Sequence, residues 1–126
     1  MPEPRYFTVA EANALLPTLK PLLAKLMERR ALVSISAQNL GSQLHEIHAN
    51  IGGPEISDMT RDFAAIQTLI DEILSHGCIL KDLNGGLIDF LSERDGRIVY
   101  LCWKYDEPAV QHYHELNAGF AGREPL

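Results

Sequence analysis

Between residues 85 and 107 the chain reads Gly-Gly-Leu-Ile-Asp-Phe-Leu-Ser-Glu-Arg-Asp-Gly-Arg-Ile-Val-Tyr-Leu-Cys-Trp-Lys-Tyr-Asp-Glu, the one convincing run of strand-forming residues in the sequence. Residues 78–83, ahead of it, and residues 86–91, at its start, flank Asn84-Gly85, a dipeptide suited to a type I′ hairpin turn. A second reversal at residues 92–96 leads into residues 97–104. Together these predict a three-stranded antiparallel meander over residues 78–104. Its middle strand is apolar on both faces except for Asp89, so helices have to cover at least one face.

Helical periodicity surrounds this meander. Thr8 and Glu11 form a capping box, and Phe7 stands where a hydrophobic staple begins. Leu19, Leu22, Leu26, Val33, Leu40, Leu44, Ile47 and Ile51 then fall on one stripe, which predicts a helix from about residue 9 to about residue 50. Pro17 and Pro21 should kink it, Gly41-Ser42 is its weak point, and Ile-Gly-Gly-Pro at residues 51–54 ends it. Met59, Phe63, Ile66, Ile70 and Ile73 predict a second helix that begins near Ser57 or Asp58 and stops at His76-Gly77. Pro108, with Val110, Tyr113, His114 and Asn117 on one face, predicts a short C-terminal helix over residues 108–118. The expected fold is α+β in a single domain of 126 residues. It comprises a helical hairpin over residues 9–76, a meander over residues 78–104, and a short helix with an irregular tail.

The two long helices do not match in length. A first helix of about 42 residues runs about 63 Å and a second of about 19 residues runs about 28 Å. Folding back from Gly52, the second covers only the C-terminal half of the first. Leu15, Leu16, Leu19, Leu22, Leu23 and Leu26 are then left to be buried by the sheet or by a second subunit. This mismatch leads to the expectation of a homodimer formed through the long N-terminal helix.

Bulk properties narrow the classes of function. A net charge of −6 repels phosphate backbones and argues against nucleic acid as a partner, and the basic group Lys20, Lys25, Arg29 and Arg30 reads as a solvated helix face. No apolar run approaches the roughly 18 to 20 residues that span a bilayer, and the N-terminus lacks the apolar core of a signal peptide, so a cytoplasmic location is expected, with no membrane partner. Cys78 and Cys102 are too few for a disulfide framework and read as free thiols.

Chemistry could come from few residues. A carboxylate at Asp89, on a central strand, needs a partner. A hydrogen bond or ion pair with Lys81, Arg97, Lys104 or Arg123 would make it structural, whereas in a site on the sheet face it would serve as a base or as the orienting group of a histidine. His114 is the natural candidate for that histidine, with Glu115 beside it, and Cys102 completes a Cys-His-Asp reading. Trp103 and Arg123 are candidates for ligand binding, the latter because Phe-Ala-Gly-Arg at residues 120–123 offers a guanidinium beside backbone N–H groups that would grip the carboxylate or phosphate of a small anion, although both also suit packing roles. For metal, His112 and His114 would point to different sides of a helix, while His45 and His48 share a face. Two ligands do not make a site, so no cofactor is expected.

Several separate motifs, in order, carry a resemblance: Tyr-Phe-Thr-Val-Ala-Glu-Ala-Asn-Ala-Leu-Leu-Pro at residues 6–17, Gly-Leu-Ile-Asp-Phe at 86–90, Leu-Cys-Trp at 101–103, His-Glu at 114–115 and Gly-Phe-Ala-Gly-Arg at 119–123. With these the chain resembles the bacterial domain-of-unknown-function 2203 family over nearly its whole length. The resemblance implies no activity, cofactor or substrate. It departs from the family pattern at Leu91, where Pro is usual, and at Tyr113, where Trp is frequent. It draws attention to Asp89, Trp103, His114, Glu115 and Arg123. Two readings of function follow: a non-catalytic, self-associating interaction or scaffold protein, or a small enzyme or ligand-binding protein with a site around Asp89, His114, Glu115 and Arg123.

Overall fold

The computed structural model describes residues 4–46 and 54–126, with side chains at residues 4–35, 37–38 and 59–126. Two helices, α1 (Val9–Glu46) and α2 (Pro54–Leu74), precede strands β1 (Ile79–Asp82), β2 (Leu87–Arg94), β3 (Arg97–Lys104) and β4 (His112–Glu115). A 3-10 turn (Phe120–Gly122) and β5 (Glu124–Pro125) close the chain. The class is α+β, as expected. The sheet, however, has five strands in the order β1-β2-β3-β4-β5, every neighbouring pair antiparallel, where the sequence predicts three.

The capping box forms. Thr8 N–H donates to Glu11 Oε1 at 2.9 Å and Glu11 N–H donates to Thr8 Oγ1 at 3.1 Å. These bonds hold the Glu11 carboxyl below its usual pKa. α1 then runs without interruption through Pro17, Pro21 and Gly41 for 38 residues, about 57 Å. α2 starts at Pro54 rather than at Ser57 or Asp58, consistent with proline's fitness for the first helical position. The expected end of the first helix near residue 50, the His48 side chain and the His45 side chain lie outside the described residues.

The type I′ turn belongs to the second hairpin. Arg94 pairs with Arg97, and the two residues between them, Asp95 and Gly96, have φ of 52° and 79°. At Asn84-Gly85, where that turn was expected, the Asp82 carboxylate organises a longer loop by accepting the N–H of Asn84 at 2.9 Å. An irregularity between Leu80 and Asp82 shifts the register, so Asp89 stands opposite Ile79 and not Leu80. Gly86 leaves this loop at φ 69°, and a Cβ there would come within 2.8 Å of Tyr105 Cβ and 3.0 Å of Met27 Sδ.

Residues 108–118 do not form the expected helix. A three-stranded sheet would leave the outer edge of β3 with unpaired N–H and C=O groups, and β4 satisfies them, with His112 opposite Cys102 and His114 opposite Tyr100. Helical structure in this region shrinks to the single 3-10 turn. The change of period matters: on a strand His112 and His114 share a face, whereas on a helix they would diverge.

Leu16, Leu19, Leu23 and Leu26 of α1 and Ile73 of α2 are buried against Ile88, Phe90, Leu101 and Trp103 of the sheet. The leading leucines therefore find cover in the chain's own sheet, one of the two alternatives left open by the length mismatch. Phe7 locks the start of α1 onto β2, its N–H donating to Leu91 O at 2.7 Å and its ring meeting Phe90 edge-on. With the helices on this face, the alternate residues of β2, β3 and β4 belong to the other face.

Candidate site on the sheet face away from the helices

Asp89 on β2 stands directly opposite Cys102 on β3. His114 on β4 pairs with Tyr100, two residues along β3 from Cys102. Alternation puts all three side chains on the face turned away from the helices. They are nonetheless sealed, at 1% exposure for Asp89, 0% for Cys102 and 3% for His114. A carboxylate oxygen, the thiol sulfur and an imidazole nitrogen all lie within 4.8 Å of one another.

The hydrogen bonds fix where protons sit. His114 Nδ1 is 2.9 Å from the carbonyl oxygen of Glu115, and Nε2 is 3.0 Å from Asp89 Oδ2. A carbonyl oxygen only accepts, so Nδ1 carries hydrogen. The Asp89–His114 contact then holds one further proton, on Nε2 facing a carboxylate or on a carboxyl group facing the imidazole lone pair. Asp89 Oδ1 is buried with no hydrogen-bond partner. The Tyr100 ring lies beside the imidazole, centroids 5.4 Å apart, and Lys81 Nζ sits 4.7 Å over that ring. Burial, and then the neighbouring Asp89 carboxylate, push the Cys102 thiol up to about 12.

Asp89, His114 and Cys102 therefore converge, but not in the order a nucleophilic relay needs. Such a relay has an imidazole with one nitrogen on the thiol and the other on the carboxylate. His114 spends its second nitrogen on the Glu115 carbonyl, and a thiol with a raised pKa is a poor nucleophile. Of the partners considered for Asp89, the histidine is the one it takes, in place of Lys81, Arg97, Lys104 or Arg123.

Glu115 and Arg123 go elsewhere. The Glu115 carboxylate bonds Arg97, with Nη2 at 2.7 Å and Nε at 2.9 Å from Oε1. Arg123 Nη2 donates to Glu107 Oε1 at 2.6 Å and to the Cys102 carbonyl at 3.2 Å, and lies 3.1 Å from His112 Nδ1. Its guanidinium also stacks 4.7 Å from the Phe120 ring centre. The carboxylate it grips is thus the chain's own. Glu107 in turn accepts Lys104 N–H at 2.7 Å, and its carbonyl accepts Trp103 Nε1–H at 3.0 Å, which anchors Trp103 as core. Sequence reasoning misses Glu107 and His112 as members of this network. The one local signal, an acidic residue before Pro108, reads equally well as a helix lead-in.

A family model described as an uncharacterized conserved protein, DUF2203, matches residues 5–126. The chain belongs to the DUF2203 family. No curated protein and no solved structure matches it. The family match spans Asp89, Cys102, His114 and Arg123 alike and attaches no chemistry to them, so in this DUF2203 chain the geometry is what speaks to function. No helix among the described residues is long and apolar enough to cross a membrane.

Proposed function

We propose that this DUF2203 protein acts as a non-catalytic interaction protein that self-associates through its long N-terminal helix and the partner helix beside it. The observation that carries this reading is the outer half of the helical pair. Among the described side chains, residues packed into the core end at Met27 on α1 and begin at Ile66 on α2. Beyond them the helices are tied by the Arg29–Asp62 ion pair at 3.0 Å, while Leu32, Ile35 and Phe63 remain 44%, 54% and 55% exposed. Two helices bury only one stripe of each other, and apolar residues outside that stripe need a third element.

Charge supports a second copy as that element. α1 carries Lys20, Lys25, Arg29 and Arg30 against Glu11, Glu28 and Glu46, with the four cations clustered at residues 20–30, whereas α2 carries Glu55, Asp58, Asp62, Asp71 and Glu72 against Arg61. Arg29 and Asp62 already neutralise each other within the chain. In a two-fold pairing that sets α1 of one copy beside α2 of the other, the opposite charges that meet are therefore Lys20, Lys25 and Arg30 on α1 and the remaining carboxylates of α2. The alternative, a small enzyme or ligand-binding protein with a site at Asp89, His114, Glu115 and Arg123, has the Asp89–His114 contact in its favour and the separate engagements of Glu115 and Arg123 against it. Size-exclusion chromatography with light scattering tests the proposal. The wild type should elute as a dimer at micromolar concentration, and Ile35→Glu and Phe63→Glu should each shift it toward monomer. A wild type that is monomeric throughout that range overturns the reading.

A further inference from the structure

We propose that Asp89, Cys102 and His114 form a binding site for a zinc ion. The donors are a carboxylate, a thiol and an imidazole, a set that suits zinc and disfavours calcium and magnesium, which prefer oxygen alone. They come from three adjacent strands, so the backbone around each is fixed by its ladder. Zinc bonds of about 2.0 Å to nitrogen or oxygen and about 2.3 Å to sulfur place neighbouring ligand atoms roughly 3.3–3.6 Å apart. Here all three lie within 4.8 Å of one another, and the His114 Nε2–Asp89 Oδ2 pair is already at 3.0 Å, so side-chain shifts of about 1 Å, with no change of strand register, bring the set to these spacings.

Two details of the cluster point to a ligand. The Nδ1–H of His114 donates to the Glu115 carbonyl, which orients the ring so that Nε2 presents to the cluster, the outer hydrogen bond found on metal-bound histidines. Asp89 Oδ1, buried and without a partner, is free to complete a bidentate carboxylate or to hold a water on the ion.

Charge balance also works. The cluster holds one proton in the Asp89–His114 contact and one on the Cys102 thiol. A divalent ion that displaces both leaves a carboxylate, a neutral imidazole and a thiolate around two positive charges. The net charge of the enclosed group is zero before and after, so binding adds no uncompensated charge to the interior.

Cobalt(II), which adopts the same tetrahedral geometry and reports thiolate ligation by an absorption band, is the probe. One equivalent added to the reduced wild type under anaerobic conditions should give a thiolate-to-metal charge-transfer band. One equivalent of zinc should abolish that band. Cys78→Ala should retain it, and Cys102→Ala and His114→Gln, shown folded by circular dichroism, should lose it. The proposal is overturned if folded wild type gives no such band at one equivalent, if zinc does not displace the cobalt, or if the band survives in Cys102→Ala. The wild-type spectrum decides by itself should a variant fail to fold.

Discussion

Asp89 Oδ2 meets His114 Nε2 at 3.0 Å across the width of β3, with the two side chains 1% and 4% exposed. The contact ties β2 to β4 without passing through the ladder bonds of the strand between them. Removing one partner leaves a buried polar group facing nothing. Asp89→Ala and His114→Ala should each lose about 3–5 kcal/mol, the range for breaking a buried pair from one side. The double variant should lose less than the sum of the two. Urea unfolding with a chelator present measures all three, and additive losses would show that the residues do not act as a pair.

How much of this pair is legible in the sequence follows from the range of the forces involved. Thr8–Glu11 is local, and its capping box reads straight from four residues. Asp89 announces its need for a partner because a lone carboxylate on an apolar strand has a cost that sequence alone reveals. His114 can be named as a candidate, but its element cannot. Val110, Tyr113, His114 and Asn117 fit a helical period, and His-Tyr-His-Glu is too short to display a strand period against it. What decides is the open edge of β3, a tertiary fact. The same holds at the turns: the rule that favours Asn-Gly or Asp-Gly is satisfied at Asp95-Gly96, while at Asn84-Gly85 the irregularity in β1 and the Asp82 side chain override it. Arg123 reaches Glu107, sixteen residues away, through a chain reversal that no local pattern encodes.

The Arg123–Glu107 bond, at 2.6 Å, joins the C-terminal segment to the turn after β3. Both side chains are largely buried, at 12% and 18% exposure, so the pair is neither a solvated surface bridge nor a fully enclosed one. Arg123→Ala strips Glu107 of its cation while Glu107 still accepts the Lys104 N–H. The expected cost is about 1.5–3 kcal/mol, the range for hydrogen bonds to charged groups. Because β5 follows directly, its pairing with His112 and Tyr113 should weaken as well. Hydrogen exchange is the check: protection in β4 and β5 should fall further than in β2.

At Gly86 two demands coincide. Its φ of 69° is a left-handed conformation, and a Cβ would press on Tyr105, Met27 and Leu23 at 2.8, 3.0 and 3.2 Å. The Gly86 carbonyl also accepts Tyr105 N–H at 2.9 Å, so the backbone cannot swing away without losing that bond. Gly86→Ala should cost about 1–3 kcal/mol from overpacking, with left-handed strain in addition. Gly96 has φ of 79°, but a Cβ there would meet nothing within 4 Å, so Gly96→Ala should show the strain alone and cost less. Comparing the two variants by denaturant midpoint separates packing from backbone preference.

Cys78 gives stability a dependence on pH. It is buried, its thiol donates to the Ile73 carbonyl at 3.3 Å, and burial raises its pKa from 9.0 to about 11. Below pH 9 the thiol is protonated in both folded and unfolded chains, and its contribution is fully present. Between pH 9 and 11 the unfolded chain ionises while the folded one does not, so the unfolded chain binds fewer protons and stability falls as pH rises. Two pKa units correspond to a loss on the order of 3 kcal/mol once pH exceeds the folded value. Tyrosines and lysines titrate in the same window, so the quantity to measure is a difference. Wild type and Cys78→Val should differ in unfolding free energy by one amount at pH 7.5 and by an amount shifted in favour of the variant at pH 10.5. A difference that does not change with pH would mean that the Cys78 thiol ionises as readily in the folded chain as in the unfolded one.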